Sequence, residues 1–298
     1  MTDQEQRCGF VAIIGAPNAG KSTLVNRLVG AKISIVSHKV QTTRARIRAI
    51  YMRNASQVIL VDTPGIFKPR RKLDQAMVGN AWGGASEADA VVLLIDAKRG
   101  LDEEAQGILD TFKKSSIKAI LVINKIDLLP AEKLLPLSET LNAAYGFSET
   151  FMVSAVTGSG VERLGERLAA LMPVGPWLYP EDQTADVHLR FIAAEITREK
   201  IYERLHEELP YASTVETETW EERKDGSVKI QQAIFVARET QKAIVLGKGG
   251  HQIKLLGQLA RAEMEESFGR RVHLFLFVKV RENWAEDPER LRMMGLEI

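Results

Sequence analysis

The stretch that decides the fold is GAPNAGKS, residues 15–22. It fits the pattern G-x-x-x-x-G-K-[ST], follows a predicted strand at 10–14 and opens a predicted helix at 21–29. In that setting, the backbone N–H groups of the loop and the positive end of the helix dipole hold phosphate groups. A glycine-rich turn without a ligand is the alternative, and the combination of strand, loop, Lys-Ser pair and helix makes it the weaker interpretation. The stretch therefore predicts a phosphate-binding loop, with Lys21 at the β- and γ-phosphates and Ser22 on Mg²⁺.

The segments around this loop predict a mostly parallel sheet covered by helices. Apolar runs of strand length alternate with helical patterns, an order typical of parallel α/β sheets. The expected strands are 10–14, 57–61, 90–95, 119–123 and 151–153, and the expected helices are 21–29, 103–112, 131–145 and 161–171. Residues 46–50 alternate charged and apolar side chains, as an exposed edge strand does. The first part of the chain is thus predicted to be a P-loop α/β domain.

A change of composition separates this part from a second one. Residues 172–186, MPVGPWLYPEDQTAD, hold three prolines and a glycine among polar residues, a pattern typical of linkers. Beyond them the predicted order is one helix (about 190–209), two strands (213–221 and 228–237), two helices and a final strand (272–280). We therefore expect a first domain over 1–173, a linker over 174–189 and a small α+β domain over 190–298.

Composition bounds the class of protein. The chain has 298 residues, 45% of them hydrophobic and 27% charged, with a formal net charge of +1. Any nucleic-acid binding must therefore depend on local basic patches. The single cysteine, Cys8, excludes an internal disulfide and is typical of a reducing cytosol. The polar start predicts no signal peptide, and no apolar run reaches the length of a membrane span. We expect a soluble cytoplasmic protein, and any contact with the inner face of the cell membrane should be peripheral.

Two further segments predict which base is bound. NKID, residues 124–127, follows the run 119–123, so it lies at the carboxyl end of a strand, where ligands bind in open α/β sheets. Asp127 can accept hydrogen bonds from N1–H and the 2-amino group of guanine, whereas adenine would leave the carboxylate unpaired. For this segment alone, a helix start capped by Asn124 is the alternative. SAVTG, residues 154–158, is expected to place a backbone N–H near the guanine oxygen.

DTPG and QTTR predict the segments that sense the γ-phosphate. In DTPG, residues 62–65, Asp62 should hold Mg²⁺ through a water, and Gly65 should offer its N–H to the γ-phosphate. In QTTR, residues 41–44, one threonine should complete the Mg²⁺ shell, and we choose Thr43 over Thr42. Loss of the γ-phosphate would release both segments, which gives an order–disorder switch. The five histidines are too scattered for a zinc site, so Mg²⁺ is the expected divalent metal.

These motifs assign a set of expected site residues, with GTP or GDP and Mg²⁺ as cofactors. The nucleotide contacts are Gly15, Ala16, Pro17, Asn18, Ala19, Gly20, Lys21, Ser22, Thr23, Asp62, Thr63, Pro64, Gly65, Ile66, Asn124, Lys125, Ile126, Asp127, Ser154, Ala155 and Val156. The metal ligands are Ser22, Thr43 and Asp62. The catalytic residues are Asn18, Lys21, Thr43 and Gly65.

The five segments, in this order over residues 15–158, resemble the translation-factor-related GTPases, and GAPNAGKS, QTTR and DTPGI resemble the Era branch. The resemblance implies GTP hydrolysis. In Ras-like proteins a glutamine that orients water follows the D-x-x-G glycine. Ile66 stands there instead and cannot hydrogen-bond to water, so we expect slow intrinsic hydrolysis. Some relatives with an asparagine in the phosphate loop use K⁺ at the transition state, and Asn18 stands at the matching place, which makes K⁺ stimulation a hypothesis. No arginine finger is assigned, because Arg44 and Arg46 are expected to be solvated or to face RNA.

VLGKGGHQIK, residues 245–254, predicts a second kind of anion site. The glycine-rich turn is not followed by Lys-[ST], and no second D-x-x-G or N-K-x-D occurs, which argues against a second nucleotide site. It fits G-x-x-G between two helices, through which KH domains clamp about four single-stranded nucleotides. An ordinary helix–turn–helix is the alternative. The element order resembles a type II KH domain, which follows the GTPase domain in the Era family. The expected RNA contacts are Gly247, Lys248, Gly249, Gly250, His251, Ile253 and Lys254.

Charge supports RNA binding only around this turn. From residue 181 onward, 22 acidic residues outnumber 18 basic ones, whereas over 238–281, 9 basic residues outnumber 4 acidic ones. Residues 68–72, KPRRK, are either an RNA-contacting patch or a solvated loop. Phe275 and Phe277 are expected in the core, not against bases.

Together with the resemblance, these features predict a monomeric GTP-dependent switch that binds single-stranded ribosomal RNA. Its expected target is the 3′ region of 16S rRNA, and its expected role is assembly or maturation of the small (30S) ribosomal subunit. GTP should order the two switch segments and thereby change RNA binding by the C-terminal domain. Two other classes stay open. One is a non-catalytic, GTP-dependent assembly placeholder; the other is a GTPase that acts on a protein or membrane partner and uses a KH-like scaffold without RNA.

Overall fold

The structure is a computed structural model that describes residues 5–37, 39, 42–69, 71–293 and 296, without the side chains of residues 290 and 293. His38, Gln41 of the QTTR segment and Arg70 of the KPRRK segment lie outside the described residues. Two compact units are present. The first contains Met1–Ser34, Thr43–Asp186 and Met294–Ile298, and the second contains Ile35–Thr42 and Val187–Met293, in each case over the residues that are described. After Thr43, the chain stays in the first unit until Asp186, within the predicted linker, where it passes to the second.

The first unit is built on a mostly parallel sheet, as predicted. Its strands over the described residues are β1 (Arg7–Ile14), β2 (Ile47–Arg53), β3 (Ser56–Asp62), β4 (Ala90–Asp96), β5 (Ala119–Asn124) and β6 (Thr150–Met152). They lie in the order β2-β3-β1-β4-β5-β6, and all neighbours are parallel except β2 and β3. The interior strands are buried along nearly their whole length because helices cover both faces, which explains their unbroken apolar sequences.

Five helices of this unit lie among the described residues: α1 (Lys21–Val29), α2 (Lys72–Glu87), α3 (Glu103–Ser115), α4 (Leu134–Ala144) and α5 (Val161–Leu171). Their ends follow local chemistry. Asp102 caps α3 by accepting the N–H of Ala105 at 2.9 Å. Two acidic residues in its first turn and two lysines in its last turn complement the helix dipole. The helix predicted to begin at residue 131 begins as a short 3₁₀ turn, Ala131–Lys133, before α4.

Helix α2 is absent from the sequence-based prediction. It contains Gly79, Gly83 and Gly84, which weaken the helical signal. A Cβ on Gly83 would lie 2.1 Å from the Arg46 guanidinium, so the glycine lets Arg46 reach across the helix. There Arg46 Nε donates to the Asn80 carbonyl at 2.7 Å. The expectation that Arg44 and Arg46 are solvated or face RNA is therefore wrong, since Arg44 is buried and Arg46 binds α2.

The edge strand β2 is covered by chain from the predicted linker. The N–H of Ile50 donates to the Thr184 carbonyl at 2.8 Å, and the N–H of Asp186 donates to the Arg48 carbonyl at 2.9 Å. Nearby, Trp177 and Tyr179 pack on a small apolar cluster that consists of Cys8, Ile50 and Ile59. Residues 184–186 thus complete the outer edge of the sheet.

The second unit is a smaller α+β structure in the predicted order. It contains α6 (Leu189–Arg204), β7 (Ser213–Glu222), β8 (Val228–Val236), α7 (Glu239–Leu246), α8 (His251–Phe268), β9 (Val272–Val280) and α9 (Pro288–Met293). Strands β7 and β8 are antiparallel, while β8 and β9 are parallel. Buried side chains of α8 pack with those of β8 and β9, which places the core on one face of this sheet. No helix in the described part of the chain has the length and apolar character needed to cross a bilayer.

One expectation about this sheet is wrong. Phe275 and Phe277 are 45% and 47% exposed, although they were expected in the core. Successive side chains of a strand point to opposite faces. In β9, Leu274, Leu276, Val278 and Val280 contact the core. The odd-numbered residues of β9 therefore occupy the face that the helices leave open.

Candidate nucleotide and nucleic-acid sites

The predicted phosphate loop joins β1 to α1 at the carboxyl end of the sheet. Asn18 and Gly20 have positive φ values of 61° and 99°, which turn the loop tightly before the helix begins. Lys21 Nζ donates to the carbonyl of Gly15 at 3.1 Å and to that of Ala16 at 2.9 Å. Burial lowers the pKa of Lys21 to about 8, against the opposing effect of nearby carboxylates. The loop thus folds around a buried amine at a helix N-terminus, the arrangement that binds phosphate groups.

The three predicted metal ligands lie together. Ser22 Oγ donates to Asp62 Oδ2 at 2.8 Å and lies 2.8 Å from Thr43 Oγ1. Thr43 Oγ1 is 3.5 Å from the same carboxylate oxygen. Thr42, in contrast, directs its hydroxyl to the Lys39 carbonyl at 2.9 Å. The structure therefore brings Thr43, and not Thr42, to Ser22 and Asp62.

The surroundings of the Asp62 carboxylate show whether Ser22, Thr43 and Asp62 fit a divalent cation. Its Oδ1 atom is buried and has no hydrogen-bond partner in the described structure. Burial raises the pKa of Asp62, and the charge of Lys21 opposes that shift. A buried carboxylate oxygen with free lone pairs beside two hydroxyl groups is the oxygen-rich donor set that Mg²⁺ prefers. The residues present thus fit Mg²⁺, which would neutralise phosphate charge when bound.

The DTPG segment packs closely against the phosphate loop. A Cβ on Gly65 would lie 2.8 Å from the backbone of Pro17, so only glycine fits between them. The N–H of Ile66 donates to the Gly15 carbonyl at 3.1 Å, and Thr63 Oγ1 donates to the Ile13 carbonyl at 2.8 Å. The Ile66 side chain is buried in the apolar core. This side chain has no hydrogen-bonding group and is buried, so it cannot orient a water molecule.

Asn124 links three segments at the base end of the site. Its Nδ2 donates to the Ala19 carbonyl at 2.8 Å, and its Oδ1 accepts the N–H of Ala155 at 3.0 Å. A Cβ on Gly20 would lie 2.3 Å from Asn124 Nδ2, which explains the glycine there. Of the SAVTG segment, which was expected to place a backbone N–H near the guanine oxygen, the N–H of Ala155 is directed to Asn124 in this structure. Asp127 follows β5 and is exposed, where its carboxylate is available to a ligand.

Several supporting residues were not identified from the sequence. Asp96, at the end of β4, forms an ion pair with Lys125 at 2.7 Å, and Lys125 Nζ donates to the Asn18 carbonyl at 2.6 Å. Arg99 Nη1 donates to the Pro17 carbonyl at 3.3 Å. The only available signal was the position of Asp96 after an apolar run, at the end of β4, which matches the position of Asn124 at the end of β5.

Arg27 on α1 is another support that no motif indicated. It donates to the carbonyls of Ala155, at 3.1 Å, and Val156. A cavity of about 550 Å³ lies beside these contacts and is lined by Thr23, Asn26, Arg27, Gly30, Ala31, Lys32, Ala155 and Val156. Ser154, at the start of this segment, holds its turn by accepting the N–H of Thr157 at 3.1 Å. Residues predicted at the phosphate and base ends of one nucleotide thus share a framework of hydrogen bonds.

The GKGG turn of the second unit lies between α7 and α8. Gly247, Gly249 and Gly250 have positive φ values of 70°, 61° and 76°. A Cβ on Gly247 would lie 2.6 Å from the Cβ of Gln252, whereas the positions of Gly249 and Gly250 face open space. The first glycine is therefore needed for the turn itself, and the other two leave its outer side bare. Such a surface lets a sugar–phosphate backbone approach closely.

The predicted RNA contacts surround this bare surface. Lys248, His251 and Lys254 are exposed, and Ile253 is half-buried. Ile244 on α7 is 57% exposed and adds an apolar side chain beside the turn. Among the described residues no cluster of His, Cys, Asp and Glu could hold a metal ion. The chemistry of this second site is thus cationic and apolar, with glycine backbone at its centre.

Comparisons with known proteins match both units. The family model described as 50S ribosome-binding GTPase matches residues 10–125, and the KH domain model matches residues 208–285. GTPase Era from Bradyrhizobium diazoefficiens is 62% identical over 291 residues, which cover 98% of this chain and 94% of that protein. The chain belongs to the Era family of GTPases. GTPase Era from Brucella suis is 59% identical over 293 residues, covering 98% of this chain and 94% of the relative.

Solved Era structures match nearly the full length of this Era-family chain. One is a crystal structure of Era in complex with MgGDPNP and nucleotides 1506–1542 of 16S ribosomal RNA. Another is Aquifex aeolicus Era, as a point variant, bound to GDP·AlF4⁻. Each is 38% identical, has a TM-score of 0.92 and covers 97% of this chain and 99% of its own. The predicted family and fold class are confirmed, and the activity of this Era-family protein is hydrolysis of GTP.

Proposed function

We propose that this GTPase binds single-stranded RNA from the 3′ region of 16S rRNA and acts in assembly of the small (30S) ribosomal subunit. The observation that carries this proposal is the GKGG turn, whose outer glycines face open space beside Lys248 and Lys254. The related Era structure that contains 16S rRNA nucleotides supports the choice of RNA. The expected contacts are Gly247, Lys248, Gly249, Gly250, His251, Ile253 and Lys254.

Paired substitutions in two exposed turns test this RNA site. K248D/G249D adds negative charge and side chains on the bare side of the turn, so it should reduce affinity for a 16S 3′-end oligonucleotide by about a hundredfold or more. K224D/G226D makes the same chemical change in the β7–β8 turn, where Lys224 is exposed and Gly226 also has positive φ, 80°, and faces open space. It should bind RNA like the unaltered protein. Equal affinity of both variants would favour a protein or membrane partner instead.

The nucleotide site has proposed roles for this chain's own residues. Lys21 and the backbone N–H groups of the loop would hold phosphate oxygens, while Ser22 and Thr43 directly and Asp62 through a water would hold Mg²⁺. Asp127 accepts from guanine, and Asn124 fixes the loops on either side of it. Thr43 and Gly65 would sense the γ-phosphate. The support is the convergence of Ser22, Thr43 and Asp62 and the hydrogen bonds of Asn124.

Slow intrinsic hydrolysis is part of this proposal, because the buried Ile66 leaves no side chain there to orient water. The same observation favours one second candidate, an assembly placeholder that holds GTP and seldom hydrolyses it. Single-turnover hydrolysis, measured with and without 30S subunits, separates the two. A rate that rises strongly with subunits supports an activated switch, whereas an unchanged slow rate supports the placeholder.

Potassium is proposed as an activating cofactor at Asn18, whose positive φ places it at the turn of the phosphate loop. A cation there would offset charge that develops during phosphoryl transfer. Turnover should therefore be faster in KCl than in NaCl, and N18A should abolish that difference. Equal turnover of the unaltered protein in the two salts would exclude this role.

Nucleotide state is proposed to control RNA binding through the two switch segments. RNA affinity should then differ between protein loaded with a non-hydrolysable GTP analogue and protein loaded with GDP, and identical affinities would contradict the coupling.

The proposed location of the protein is the cytoplasm, with any contact at the inner face of the membrane peripheral, and the proposed oligomeric state is a monomer. Flotation with anionic vesicles tests the membrane contact, and sedimentation tests the state.

A further inference from the structure

The open face of the second sheet carries an exposed aromatic pair that the GKGG turn does not use. Phe275 and Phe277 are 45% and 47% exposed, although large apolar side chains normally lie inside. They lie two residues apart on β9, so they share one face with their Cα atoms about 6.7 Å apart. At that spacing, each ring can contact a separate flat ligand.

The surroundings of the two rings are polar, and their charges are balanced. His273 and Lys279 flank them on the same face of β9. Gln231 of β8 lies opposite Phe275, and Lys229 lies opposite His273. The acidic residues of the far strand are engaged: Glu221 pairs with Lys229 at 3.2 Å, and Glu218 pairs with Lys279 at 2.5 Å. Each lysine at the two ends of the aromatic pair is thus balanced by a glutamate, so the exposed rings, and not net charge, are what this face offers to a nucleobase.

The exposed aromatic area is too small for a stable protein interface. A phenylalanine side chain buries roughly 150–250 Å² in full, so two half-exposed rings offer about 200 Å². A specific protein partner needs about 800 Å² on each side. Individual nucleobases need far less, since one base stacks on one ring.

The aromatic face also continues from the RNA site. Helix α8 starts at the GKGG turn and packs on the opposite face of β9, where a Cβ on Gly257 would lie 3.6 Å from Leu276. Gly257 is six residues along α8, about 9 Å from the turn. Within the described residues, β9 pairs with β8 alone, so its other edge is open. An RNA strand that leaves the turn can therefore pass this edge and reach Phe275 and Phe277.

On the basis of the RNA binding proposed above, we propose that Phe275 and Phe277 form a stacking platform for two bases of an RNA strand that continues beyond the GKGG turn. The turn holds the backbone of the first nucleotides, and the platform binds later bases by their flat faces. Because every base has such a face, the platform adds affinity with little preference for sequence. Longer RNA should thus bind more tightly than the turn alone allows.

The test compares RNA of two lengths on full-length protein loaded with Mg²⁺ and a GTP analogue. The probes are oligonucleotides of about six and about twelve nucleotides from the 3′ region of 16S rRNA, the shorter one sufficient for the turn. F275A/F277A should weaken binding of the longer RNA by about tenfold or more and leave the shorter RNA unaffected. F275L/F277L keeps apolar area without a ring and should show the same loss. F275Y/F277Y keeps both rings and should bind like the unaltered protein.

The outcomes separate this platform from the RNA site itself. If K248D/G249D weakens both RNAs while the phenylalanine variants bind as the unaltered protein does, the RNA site stands and the platform is excluded. Full affinity in F275L/F277L, or equal loss for both lengths, also overturns the platform. If K248D/G249D binds both RNAs normally, the proposed function fails first. The other possible ligand of this face is a second copy of the chain. Sedimentation tests it, because F275A/F277A would then change the self-association of the protein and the platform would be overturned.

Discussion

Thr42 and Thr43 show how much one residue position matters at this site. Their hydroxyl groups have different partners, the Lys39 carbonyl for Thr42 and the Ser22–Asp62 pair for Thr43. T43A should reduce Mg²⁺-dependent GTP hydrolysis by about tenfold or more, because it removes a hydroxyl from the metal donor set. T42A is the matched control and should stay within about twofold of the unaltered protein. Hydrolysis rates over a Mg²⁺ titration decide between them, and the reverse ranking would move the metal role to Thr42.

Tyr51 predicts a pH dependence that is independent of the ligand sites. Its hydroxyl donates to the Gly165 carbonyl at 3.0 Å, and burial raises the pKa of Tyr51 above its ordinary value, while the charge of Arg53 opposes that shift. Above pH about 10 the unfolded tyrosine loses its proton while the folded one keeps it, so the free energy of unfolding falls as pH rises.

The matched variant is Y51F, which cannot ionise. Between pH about 9 and about 11 the unaltered protein should lose up to about 1.4 kcal/mol more unfolding free energy than Y51F does. Urea unfolding at both pH values measures the difference. Parallel losses in the two proteins would show that Tyr51 ionises freely in the folded state.

Motif residues at the site were predictable, but the side chains that position them were not. Lys21, Asp62 and Asn124 belong to patterns whose spacing reflects their chemistry. Asp96 forms an ion pair with Lys125, and Arg27 donates to the carbonyl of Ala155. Both contacts join segments that are distant in sequence, so no local sequence pattern predicts them. Phe275 was misassigned because a phenylalanine was taken as a core residue by itself. In VHLFLFVKV the even-numbered positions are all apolar and the odd-numbered ones include His273 and Lys279, so the period of two does indicate which face is buried.

At the scale of elements, strands were predicted more fully than helices. An apolar run that ends in a polar motif marks each parallel strand, whereas α2 has three glycines within its 16 residues. The tertiary structure explains two of them, since a Cβ on Gly83 would meet Arg46 and one on Gly84 would touch Thr63 and Val61. The stability of helix α2 thus depends on tertiary packing at Gly83 and Gly84, which cannot be predicted from its helical propensity.

Gly79 tests whether tertiary contacts explain the other two glycines of α2, because a Cβ at Gly79 would meet nothing within 4 Å. G79A should raise the free energy of unfolding by about 0.5–1 kcal/mol, since alanine favours the helix and no contact opposes it. G20A is the contrasting change and should destabilise the protein, because φ is 99° and Asn124 Nδ2 would lie 2.3 Å away. Chemical denaturation of both variants checks the opposite signs.

For the whole molecule, charge determines how RNA binding should respond to salt. The net charge is only +1, so attraction comes from cations near the GKGG turn. With about three such contacts to a single strand, the logarithm of affinity should fall against that of salt concentration with a slope of about −2. K254A should make the slope shallower by about 0.7, whereas K224A, in the β7–β8 turn, should not change it. A slope near zero would indicate binding without phosphate contacts.

The strap formed by residues 184–186 has a practical consequence for anyone who isolates the GTPase half. If the polypeptide is cut after Leu171, the backbone row of β2 loses the cover that residues 184–186 give it and becomes a template for pairing between molecules. Such a fragment should precipitate or form oligomers even with its catalytic segments intact. Cutting after Asp186 retains the strap and should give material that stays dispersed.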